Sequence, residues 1–92
     1  MTEINSERSA RLNEFLDAMK EKLNQPRNVA KQDWRKLDLN VLRELLNGEV
    51  GELLEAWPER AIIGEAVDVA NFAFMIWDVA MRDIEKYRGE PA

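Results

Sequence analysis

Two carboxylate pairs carry the chemical interest of this 92-residue chain: Glu49 with Glu52, and Glu65 with Asp68. With Glu49 as zero on a helix advancing about 100° per residue, Leu45, Leu42, Leu53 and Leu46 fall at about −40°, +20°, +40° and +60°. Glu49 therefore stands in the middle of an apolar arc. Glu52 borders that arc, whereas Glu44 and Glu55 point toward the polar side. The same arithmetic from Glu65 puts Phe72, Ile76 and Val69 at about −20°, +20° and +40°, with Asp68 at about −60°. Both segments share one design, a carboxylate inside the apolar face and a second one three residues on.

A carboxylate facing a core costs several kcal/mol or takes up a proton. Four of them converging from two helices is worse, because like charges about 5 Å apart repel by roughly 3 kcal/mol at an effective dielectric near 20. Such a site needs a cation. The chain has no cysteine and no histidine, which removes thiol catalysis, disulfides, Ser-His-Asp triads, Cys/His zinc sites and ferritin-type di-iron sites. The remaining ligands are all oxygen, a set that favours Mg²⁺, Mn²⁺ or Ca²⁺. Mg²⁺ commonly shares its ligand shell with phosphate, so the pattern points to a phosphorylated substrate. Two other readings stay open: the four acids pair with Lys and Arg of the first helix or of a second chain, or an acidic face of a non-catalytic helical dimer binds a basic partner.

The elements that must position these acids read as helices throughout. Leu12, Phe15, Leu16, Met19 and Leu23 form one stripe after a start at Ser6, predicting a helix from about Ser6 to Asn24. Pro26 closes it, and the polar segment to Lys36 reads as a loop. Asp38 caps a second helix, which ends at Pro58, and a third runs from about Glu59 to Tyr87. Between Ala61 and Met81 only Glu65, Asp68, Asn71 and Asp78 are polar, so the third helix must be covered on most sides, Trp57 and Trp77 being expected in the core. The first two helices cannot wrap it alone. We therefore expect one all-α domain over residues 1–92, a bundle of three main helices completed by dimerisation into a core like that of a four-helix bundle.

Hydrophobic residues make up 46% of the chain and charged residues 34%, the balance of an ordinary globular protein. Acidic residues outnumber basic ones 18 to 13, and the net charge of −5 argues against a nucleic-acid partner. Charges interrupt the longest apolar stretch, which argues against a membrane span, and the N-terminus carries no signal-peptide pattern. The chain reads as cytoplasmic.

Glu49-Val-Gly-Glu52 followed by Glu65-Ala-Val-Asp68 and continuing through Asn71-Phe72 resembles the all-α nucleoside triphosphate pyrophosphohydrolases of the MazG-like group. The resemblance spans about residues 31–80. It implies hydrolysis of a (deoxy)nucleoside triphosphate to the monophosphate and pyrophosphate, a nucleotide-pool-cleaning activity. Mg²⁺, or Mn²⁺ in its place, would be held by Glu49, Glu52, Glu65 and Asp68, in a dimer or a dimer of dimers. Lys31-Gln32-Asp33-Trp34 keeps the lysine and tryptophan of the family's Lys-Gly-Gly-Trp type of loop without its glycines, and Asn71 matches the asparagine after ExxD. Lys31 is thereby expected at triphosphate oxygens, Trp34 at the base and Asn71 in the substrate site.

Overall fold

The computed structural model describes residues 5–25 and 33–89, and among them every regular element is helical. Helix α1 spans Ser6–Leu23, a 3₁₀ turn spans Asp33–Lys36, α2 spans Leu39–Glu55 and α3 spans Glu59–Gly89. Helix α1 starts at Ser6, where the sequence puts it. Asn5 is the cap, its side chain accepting from the Arg8 backbone N–H at 2.9 Å. Asp38 does cap α2 as its residue type predicts, accepting from the Asn40 N–H at 2.7 Å. Pro58 stands at the entrance to α3, its carbonyl accepting from Ala61 and Ile62. The 3₁₀ turn falls within the segment that reads as loop, because no apolar periodicity marks so short an element.

Helix α3 is the axis of the structure. Helix α2 folds back onto it through the short link at Ala56–Pro58, α1 lies against it, and the 3₁₀ turn packs near Asp78. The core is small: Leu42, Val67 and Val79 are the buried apolar side chains among the described residues. No residue of α1 is buried, and its stripe stays open at Leu12, Phe15 and Leu16. Trp57 and Trp77 are 74% and 58% exposed, contrary to their expected place in the core. Trp57 falls in the link between helices, and Trp77 stacks on Phe74 along the outer side of α3, with ring centroids 6.3 Å apart. No described helix is long and apolar enough to cross a membrane.

Candidate metal site

The hairpin of α2 and α3 brings Glu49, Glu65 and Asp68 together. One carboxylate oxygen from each lies within 4.8 Å of the others, and all three residues are partly buried. Glu52 sits beside them, within hydrogen-bonding reach of both Glu49 and Glu65, but its side chain is exposed and it stands outside that close set. Oε2 of Glu49 and Oε2 of Glu65 are both buried without a hydrogen-bond partner. Orphaned acceptors of this kind are costly and call for a donor or a cation.

The electrostatics follow from the crowding. Burial raises the Glu49 carboxyl from its ordinary 4.5 to about 7, with the neighbouring Glu52, Asp68 and Glu65 pushing the same way. Glu65 is raised too, first by burial and then by Glu52 and Asp68. Lys22 of α1 opposes that rise and forms an ion pair with Asp68, Nζ to Oδ1 at 3.0 Å. Pairing with the first helix thus holds for Asp68, while Glu49 and Glu65 keep unpartnered oxygens. An all-oxygen set of this size, with acceptors left over, fits a hard divalent cation.

The other predicted residues fall in different places. Asn71, one turn beyond Asp68, is 4% exposed, and its Nδ2 donates to the Met19 carbonyl at 3.4 Å while Oδ1 has no partner. Trp34 is not brought to the carboxylates. Its indole N–H donates to Asp78 Oδ2 at 3.1 Å, its ring meets Phe74 edge-on, and Arg35 Nε donates to the same Asp78 oxygen at 3.0 Å. Asp78 lies ten residues after Asp68, about 15 Å along the helix. Burial alone would raise the Asp78 carboxyl, but the hydrogen bonds from Arg35 and Trp34, with Arg82 nearby, hold it below its ordinary value. Lys31 lies outside the described residues.

Two further features bear on the site. Gly48, Gly51 and Gly64 flank the carboxylates, and a Cβ at any of them would meet nothing within 4 Å, so packing within the chain does not require them. An apolar groove of about 590 Å³, lined by Leu12, Phe15, Ala18 and Ile63 with Arg8, Arg11 and Glu14 at its rim, reaches α3 two residues before Glu65. Lys22 is the site residue that sequence reasoning missed. Its signal was its position one turn beyond Met19, at the edge of the α1 stripe. Comparison with family models, with curated proteins and with solved structures finds no match to this chain.

Proposed function

We propose that this chain is a Mg²⁺-dependent nucleoside triphosphate pyrophosphohydrolase of the MazG-like kind. The observation that carries this reading is the convergence of Glu49, Glu65 and Asp68 from two helices, with two buried carboxylate oxygens left without partners. Glu49, Glu65 and Asp68 would hold the cation, with Glu52 at its edge. Bound there, Mg²⁺ would withdraw charge from phosphate oxygens and from the departing pyrophosphate. Glu52, the exposed acid beside the set, would orient the attacking water and accept its proton. In this reading water attacks directly and no covalent intermediate forms.

Base recognition belongs to the apolar groove of α1 as much as to Trp34, whose N–H is already engaged by Asp78. Phe15 offers a plane for stacking there, at the rim of which Arg8 and Arg11 supply positive charge. The open apolar surface of α3 at Phe74, Trp77, Met81 and Ile84 supports self-association, which would complete a core like that of a four-helix bundle. A screen of canonical and damaged (d)NTPs with pyrophosphate detection tests the activity. At least one should turn over with Mg²⁺ or Mn²⁺ and not with EDTA, and Glu65→Gln should lower kcat/KM on the order of a hundredfold or more. Absence of turnover across the panel with either metal would remove the reading.

A further inference from the structure

Lys22 brings the one ammonium group seen at the carboxylate cluster among the described residues. Its Nζ lies 3.0 Å from Asp68 Oδ1, in a pair whose side chains are 28% and 24% exposed, and its charge also acts on Glu65. The same turn of α1 is tied to α3 by the Met19 carbonyl, which accepts from the buried Asn71 amide. The lysine stem is therefore held over the cluster, with its ammonium at the end of a four-carbon chain of rotatable bonds. One ammonium cannot neutralise the acids gathered there, since Glu49 Oε2 and Glu65 Oε2 stay without partners.

A divalent cation and the Lys22 ammonium draw on the same carboxylate, and they repel each other at that distance. Polyphosphate oxygens change the balance, because they offer the ammonium an alternative partner of the same charge as Asp68. We propose that Lys22 has two stations: it pairs with Asp68 when the site is without metal, and it pairs with a phosphate oxygen of the substrate once a divalent cation takes Asp68. This inference rests on the metal-site reading above. Lys22 thereby weakens metal binding in the absence of polyphosphate and strengthens it in its presence, a coupling that is reciprocal between the two ligands.

The test compares wild-type protein with Lys22→Met, which keeps the apolar stem and removes the charge, and with Lys22→Arg, which keeps the charge. Mn²⁺ binding is measured by titration calorimetry without polyphosphate, and inorganic tripolyphosphate binding is then measured at saturating Mg²⁺. Lys22→Met should bind Mn²⁺ about tenfold more tightly and tripolyphosphate about tenfold more weakly, while Lys22→Arg stays near wild type in both. Lys22→Gln carries the same two expectations should methionine at this position prevent folding. Unchanged or weakened Mn²⁺ binding in the charge-free variants, or unchanged tripolyphosphate binding, overturns the proposal while leaving the metal site standing. A wild-type protein that binds no Mn²⁺ overturns the metal site and the proposal together.

Discussion

The Glu49 carboxyl is raised to about 7 by burial and by three neighbouring acids. A carboxyl raised in the folded state holds a proton that the unfolded chain, at its ordinary 4.5, has lost. The stability of the metal-free protein should therefore fall as pH rises from about 4.5 through about 7, and Glu49→Gln should flatten that fall. Thermal melts in EDTA across this range check it; a slope unaltered by Glu49→Gln would locate the titration elsewhere. Mg²⁺ or Mn²⁺ at a hundredfold excess over its Kd should raise Tm by roughly 10 °C. Glu49→Gln or Asp68→Asn should remove that rise, whereas Glu55→Gln should retain it, since Glu55 is exposed and stands outside the close set. The positions of Glu49, Glu65 and Asp68 were legible in the sequence because a helical period fixes which face a residue shares with its neighbours. Lys22 was legible only as a cation at the edge of the α1 stripe, because its partner lies 46 positions away and nothing in a linear pattern shows which acid a long side chain will reach.

At the scale of elements, the hairpin of α2 and α3 sets the site and the 3₁₀ turn is fastened far from it. Trp34 and Arg35 both donate to one oxygen of Asp78, and a charged acceptor makes each bond stronger than a neutral one. Asp78→Asn should cost about 1–3 kcal/mol in denaturant unfolding and leave the metal-induced rise in Tm intact, since Asp78 is about 15 Å along α3 from Asp68. Loss of the metal response in that variant would mean that the turn and the site are coupled. Phe15→Ala should raise KM and alter the ranking among bases if the α1 groove receives the base, with little change in the metal response. The caps at Asp38 and Pro58 were readable because they are local chemistry, a side-chain acceptor for an unpaired N–H and a preset φ. The role of Trp34 was not, because its hydrogen bond to Asp78 joins residues 44 apart in sequence. Asp78 had stood out in the sequence as one of four polar residues in an otherwise apolar stretch, a mark of a polar group with a specific partner.

Across the whole molecule, large apolar side chains on all three helices stay open. Among the described residues three apolar side chains are buried, while Leu54 and Trp77 are each more than half exposed. Light scattering at micromolar concentration should give a mass at least twice the 10.7 kDa of one chain, and a stable monomer would contradict the expected assembly. The all-helical class was legible because apolar periodicity survives over long segments; the uncovered faces were legible only in part, since the period shows which residues need cover and not what provides it. The proposed reaction is most directly tested by its products. A ³¹P NMR time course with Mg²⁺ and the best nucleoside triphosphate should show the monophosphate and pyrophosphate appearing together as primary products. Appearance of the diphosphate and orthophosphate instead would contradict cleavage between the α- and β-phosphates and, with it, the proposed pyrophosphohydrolase.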